Sequence, residues 1–237
     1  MSDPRGRGKS ATAEERAVKG AGLVVPAKDP WSAVGDSWIR LFVAFSGVVV
    51  ALSFAYGPAF AGVFLVLMAC ALPPPGVTWR PVRAMFVMTR YVPFAVVWVA
   101  FTTGYLRLVA AFGHQIPPQA QLELMLEMGG LEWLGMLVTV VVVAPVVEEI
   151  LFRGYLFTAL SKSLPMWGAQ FVTAALFGLV HGWDYAVPVG VLALFFGYLR
   201  QRYGSLLPSI LAHAVHNGVT VGVVMTWPSA LDLFHNR

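Results

Sequence analysis

The sequence predicts an all-α fold, a polytopic transmembrane helix bundle of about seven spans with a short interfacial helix. Two compositional observations and one pattern carry that expectation. The chain is 58% hydrophobic and 12% charged, where soluble domains carry roughly 25% charged residues. Its mean hydropathy is +0.71. Its few charges are confined to particular connections, and no acidic or basic residue occurs between Arg40 and Arg80.

Residues 1–35 carry Arg5, Arg7, Lys9, Arg16, Lys19 and Lys28 among Gly, Ala, Ser and Pro, the composition of a flexible basic cytoplasmic tail. A short helix over Thr12–Lys19 fits its Glu15–Lys19 spacing. The charge-free run that follows is too long for one span, because 39 helical residues measure ~58 Å against a ~30 Å bilayer core. It must fold back, and Tyr56-Gly57-Pro58 supplies the break. Two spans are expected, at 38–56 and 58–72, ended by Pro73-Pro74-Pro75-Gly76. Cys70, the single cysteine, closes a Leu67-Met68-Ala69-Cys70 string similar to a lipoprotein box. Far from the N-terminus, it reads as a buried helix residue, and no cleavable signal peptide is expected.

Arg80, Arg83 and Arg90 mark a basic connection, then a third span runs from Tyr91 to Leu106. Gln119–Met128 sets Leu122, Met125 and Leu126 against Glu123 and Glu127, the pattern of a helix lying at the interface. A fourth span runs from Leu131 to Leu160, a fifth from Met166 to Gly182, a sixth from Ala186 to Leu199 and a seventh from Ser205 to Thr226. The domain reading is a tail at 1–35, an N-terminal membrane region at 36–130, a core at 131–227 and a short tail at 228–237. With the N-terminus cytoplasmic and the C-terminus outside, inner segments hold the basic tail, Arg80, Arg83, Arg90, Lys162, Arg200 and Arg202. Outer segments hold Glu123, Glu127, Glu132, Asp184 and Asp232, as the positive-inside rule requires. Trp38, Trp79 and Trp167 fall at inner ends and Trp133, Trp183 and Trp227 at outer ends, forming aromatic belts. The basic residues are not interleaved with aromatics as a nucleic-acid site would have them, so no such partner is expected.

Ionisable residues at membrane depth default to a functional reading. Glu148 and Glu149 lie inside the fourth span. Glu149 and Arg153 are four apart with the acid first, the better orientation for an intrahelical ion pair, and read as structural. Glu148 lies about 100° away around the helix and reads as the working residue. Glu148 is 14 residues from Lys162, His181 is 15 from Met166, and His213 is 11 from Arg202. At 1.5 Å per residue these are depths of ~21, ~22 and ~16 Å, with Asn217 one turn beyond His213. Four polar side chains from three spans at a shared depth argue for one site.

A carboxylate and an imidazole can deprotonate a water, and a second imidazole with an amide can donate to a developing oxyanion. That is an apparatus for peptide hydrolysis without a covalent intermediate. Glu148, His181 and His213 also offer a zinc ligand set with water in the fourth position. The metal-free arrangement is favoured, because ligation would consume Glu148 and leave only Glu149, which Arg153 occupies. No His-Glu-x-x-His string is present either.

Glu148-Glu149-x-x-x-Arg153, Phe177-x-x-x-His181 and His213-x-x-x-Asn217, in that order, resemble the three signature motifs of the CPBP family. That family comprises the type II CAAX prenyl endopeptidases and the Abi relatives that process bacteriocins or confer immunity. The resemblance covers about Leu131–Thr226. It implies an intramembrane endopeptidase in which Glu148 and His181 activate water while His213 and Asn217 stabilise the oxyanion. Glu149, Arg153 and Phe177 are supporting residues. Prenylated C-terminal tails are the substrate it suggests; a bacteriocin leader or a C-terminal sorting anchor suits a prokaryote-like inner-membrane chain equally.

Blander readings apply to other residues. His216 reads as a supporting or interfacial residue, Tyr155 as a cavity-lining one, and Asp184 as a solvated loop acid. His114 and His235 receive no role. Gly178, Gly190 and Gly197 are expected to permit close helix packing. Two other functions compete: a proton- or cation-coupled transporter, since buried Glu and His also mark proton relays, and a non-catalytic immunity or scaffold protein. Against the first, there is no sign of inverted repeats. Against the second, a scaffold has no need of all four site residues.

Overall fold

A computed structural model describes residues 37–73 and 77–231. The basic tail, the Thr12–Lys19 helix, most of the Pro73–Gly76 stop, the side chain of Trp38, Asp232 and His235 lie outside the described residues. Within them the chain is helical throughout. Its helices are α1 (Ser37–Tyr56), α2 (Pro58–Ala71), α3 (Ala84–Ala111) and α4 (Ala120–Glu127). They are followed by α5 (Gly130–Leu160), then α6 (Met166–Val180), a 3-10 turn (Trp183–Tyr185), α7 (Ala186–Tyr203) and α8 (Leu207–Thr226).

The expected hairpin forms where the charge-free run has to break. Gly57 takes φ 89°, which costs glycine little, and its N–H still donates to Ser53 O at 3.1 Å. Pro58 then opens α2, where its missing N–H has no partner to lose. Cys70 departs from expectation: it lies on α2 but on the exposed face, while its neighbour Ala69 is the one buried. In a helix one step along the chain turns the side chain by about 100°, and hydropathy alone does not choose between the two.

The third span starts seven residues early, at Ala84, because Arg90 does not end the helix. Its Nη1 donates to Phe86 O at 3.1 Å, and the guanidinium lies 5.6 Å from the Tyr203 ring centroid. The long stem lets the charge reach back to the polar end of the bundle. α4 forms where a short amphipathic helix is expected, but only Met125 of its apolar residues is buried; Leu126 is exposed.

Among the described residues, four helices are long and apolar enough to cross a membrane: Ile39–Tyr56, Ala84–Ala111, Gly130–Leu160 and Leu207–Thr226. α2 and α6, with 14 and 15 residues, are shorter. α7 carries Arg200 and Arg202 in its last turn. Helix length and composition therefore mark four candidate spans among the described residues, and the count of seven stays a reading of the charge pattern.

Two apolar clusters flank α5. One joins Phe45 of α1 and Leu65 of α2 to Ile150, Phe152 and Tyr155 of α5 and to Phe177 of α6. The other joins Val87 and Tyr91 of α3 to Phe195, Phe196 and Leu199 of α7 and Ala212 of α8. α6 and α7 lie very close together. A Cβ on Gly178 would collide with the Ala186 carbonyl oxygen, and one on Gly197 would strike the Gln170 side chain. That side chain bridges the helices, donating to Leu194 O at 2.7 Å and accepting from Gln201 at 2.6 Å. Gly190 is less constrained, since its Cβ would meet nothing nearer than Ala174 O at 3.5 Å.

These contacts generate a paired prediction. Gly178→Ala forces α6 and α7 apart and lowers stability by about 1–3 kcal/mol or more. Gly190→Ala, with room for its methyl, leaves thermal unfolding of the purified protein within a degree or two of wild type, roughly the reach of a neutral substitution.

Candidate active site

α5 is not a uniform α-helix. Two stretches, Thr139–Val143 and Glu149–Leu156, are π-helical, and π-turns of this kind recur at functional sites. The second stretch begins at Glu149, so it sets the directions in which the adjacent carboxylates leave the helix. Glu149 and Arg153 are fully buried, and Arg153 Nη1 lies 3.0 Å from Glu149 Oε1. This is the pair expected from their spacing. Arg153 Nη2 also donates to Ala193 O of α7 at 3.0 Å. Its guanidinium lies over the Phe177 ring at 4.3 Å and the Phe196 ring at 5.6 Å, one from each apolar cluster.

Glu149 does not serve Arg153 alone. His213 Nδ1 is 3.1 Å from Glu149 Oε1, while its Nε2 is 3.7 Å from Glu148 Oε2. Neighbouring carboxylates point apart, but an imidazole is long enough to meet one with each nitrogen. Because Glu149 is ion-paired, it accepts, so His213 Nδ1 carries the hydrogen. His181 is oriented in the same way by a different acceptor. Its Nδ1 is 2.7 Å from Phe177 O, a carbonyl that can only accept, so Nδ1 donates. His181 Nε2 is then turned to Glu148 Oε2, also at 3.7 Å.

One oxygen of Glu148 thus faces the outer nitrogens of two histidines, from α8 and from the residue that ends α6. That oxygen is buried and makes no direct hydrogen bond within the protein. The Glu148 and His181 side chains as a whole keep 26% and 29% of their surface exposed, so the group is reachable. Polar atoms separated by more than 3.5 Å suit a bridging water. Rings hold the imidazoles: Phe196 stacks on His213 at 4.6 Å, and Phe177 lies 4.6 Å from His181 and 5.9 Å from His213.

Asn217 is placed one turn beyond His213, and its Nδ2 donates to Val140 O at 2.8 Å. Val140 belongs to the first π-stretch. The amide ties α8 to α5 and retains a second N–H. Glu148, His181 and His213 therefore converge directly, while Asn217 borders them. His216 turns the other way, with Nδ1 at 3.3 Å from Tyr91 OH and its ring against Trp98. Tyr155 does not line the cavity either: its hydroxyl donates to Leu72 O at 3.0 Å, and its ring packs on Phe45. The wider π-turn advances each residue through a smaller angle, so Tyr155 rotates off the face of Glu148. Asp184 is paired rather than simply solvated, with His114 Nε2 at 2.7 Å from its Oδ1.

For a zinc ion the donor chemistry is suitable. Both imidazoles offer Nε2, and each is oriented by an acceptor at Nδ1 in the manner of metal-bound histidines. The spacing is less so, since no group of three or more His, Cys, Asp or Glu among the described residues is arranged to hold a metal ion. Sequence reading missed Phe196, Ala193 O and Val140 O. An apolar residue in an apolar helix carries no mark, and a backbone carbonyl has no sequence signature.

Residues 130–219 match the family described as Rce1-like, type II CAAX prenyl endopeptidase Rce1-like. That stretch contains all three motifs, and the resemblance to the CPBP family holds there. Over those residues the chain is similar to that family, and four of its described helices are long and apolar enough to cross a membrane. No curated protein and no solved structure matches the chain.

The buried pair gives a stability prediction. Arg153→Met leaves Glu149 charged, buried and short of its partner, and costs about 3–5 kcal/mol. The double variant Glu149→Gln/Arg153→Met recovers much of that loss. Thermal unfolding of the three purified proteins checks it, and equal losses in the single and double variants would contradict the pairing.

Proposed function

We propose that this chain, similar over residues 130–219 to CAAX-type endopeptidases, is an intramembrane endopeptidase acting on a lipidated or membrane-anchored protein. The observation that carries the reading is Glu148 Oε2, 3.7 Å from both His181 Nε2 and His213 Nε2. In this reading a water donates one proton to Glu148 and the other to His181 Nε2, whose lone pair is free because Nδ1 is held by Phe177 O. The water oxygen then points its own lone pair at the scissile carbonyl. Glu148 takes the proton as the C–O bond forms, and passes it to the leaving amine as the C–N bond breaks.

His213 has a different part. Held at Nδ1 by Glu149, His213 turns its Nε2 edge to the place where the oxyanion develops. Asn217 adds its second N–H. Glu149 thereby joins the ion pair to the chemistry by holding His213. Zinc on Glu148, His181 and His213 is the competing arrangement. The proposed setting is a prokaryotic inner membrane, with the N-terminus cytoplasmic, the C-terminus outside and a membrane-associated substrate.

Glu148→Ala and His181→Ala should each lower processing of a membrane-anchored reporter by at least about 10²-fold, while the protein still inserts and accumulates. Undiminished processing in both variants would sink the peptidase reading and return the cluster to a transport or scaffold role. Elemental analysis of the purified active protein, with chelator treatment, separates the two mechanisms. Stoichiometric zinc lost together with activity would replace the metal-free scheme.

A further inference from the structure

At the end of the bundle opposite α4, residues 77–83 cross the α7–α8 turn as a strap. Thr78 Oγ1 donates to Gly204 O at 2.7 Å, Leu206 N donates to Thr78 O at 3.1 Å, and Ser205 Oγ donates to Arg80 O at 2.8 Å. These bonds hold the strap at a fixed distance from the first turns of α8 and leave a groove of about 300 Å³ between them. Pro81 and Val82 form one wall, and Leu207, Pro208, Leu211 and Ala214 form the other. The lining is almost entirely apolar.

The groove's rim is cationic. Arg80 and Arg83 flank its strap wall, and both are exposed. Arg90 and Arg202 lie close by, each stacked on the Tyr203 ring at 5.6 and 5.8 Å. The six carboxylates among the described residues are Glu123, Glu127, Glu132, Glu148, Glu149 and Asp184. None belongs to this end: four lie in or beside α4, the start of α5 and the 3-10 turn, and two in the site. An apolar slot beneath exposed guanidinium groups, with no carboxylate beside them among the described residues, matches an amphiphile with an anionic head and a hydrocarbon tail. Basic pockets between membrane helices take such lipids.

We propose that this groove binds an anionic phospholipid, with an acyl chain along Pro81, Val82 and Leu211 and the headgroup phosphate on Arg80 and Arg83. The lipid braces the strap against the start of α8, the helix that carries His213 and Asn217. The site is independent of the peptidase reading and stands or falls without it.

The test uses purified full-length protein and two lipids with identical acyl chains, phosphatidylglycerol and phosphatidylcholine, competing at equal concentration in native mass spectrometry. Wild type should retain phosphatidylglycerol preferentially. Arg80→Ala/Arg83→Ala should reduce that preference by about thirtyfold, the effect of two arginines near a membrane surface. Arg80→Lys/Arg83→Lys should keep most of it. Leu207→Trp, which fills the slot, should lower retention of both lipids. Equal retention of the two lipids by wild type, or an undiminished preference in the double alanine variant, would overturn the proposal. So would equally tight binding of glycerol 3-phosphate, which has the headgroup charge without the chain.

Discussion

A charge pair with no access to water organises this bundle. Glu149 and Arg153 are fully buried, where an unpaired charge is too costly to keep. Neighbouring helices meet them on several sides. α7 lends the Ala193 carbonyl, α6 and α7 lend the faces of Phe177 and Phe196, and α8 lends His213. Four helices are thereby registered against one another through two side chains. The apolar clusters on either side fill volume, but hydrophobic contact is non-directional and cannot set a helix's rotation. The ion pair and its hydrogen bonds do so, because they fail when misaligned by an ångström.

That constraint explains how the site is assembled. His213 is fixed at Nδ1 by the same carboxylate that anchors Arg153, and His181 by a carbonyl one turn back on its own helix. Each ring has a single nitrogen left, and both face Glu148. The arrangement holds both rings in place without any direct hydrogen bond to the Glu148 oxygen at its centre. The structural role given to Glu149 from sequence and the chemical role given to His213 are thus two ends of one connection.

Much of this was legible in the sequence, and the limits have physical causes. The hairpin break at Gly57 could be read because a charge-free run longer than a bilayer has few places to fold. The level shared by Glu148, His181 and His213 could be read because rise per residue differs by only a fraction of an ångström between α- and π-helical turns. Rotation about the axis was harder. Two π-helical stretches in α5 leave the hydropathy pattern unchanged yet alter which residues share a face, and this moved Tyr155 onto the α1–α2 hairpin. Cys70 failed for a similar reason, since a uniformly apolar helix does not announce its buried side. α3 begins before Arg90 rather than after it, because a charge does not bound a helix when its stem lets it reach the boundary from inside.

The shortness of α2 and α6 has a consequence for the lipid around them. At 14 and 15 residues they measure about 21–22 Å, well under a ~30 Å hydrocarbon core. A bilayer meeting short apolar helices thins locally or draws their flanking residues towards the interface. His181 directly follows α6, so wherever α6 borders lipid, thinning of this kind falls beside the candidate site, and the depth of hydrocarbon over it depends on the bilayer as well as on the protein.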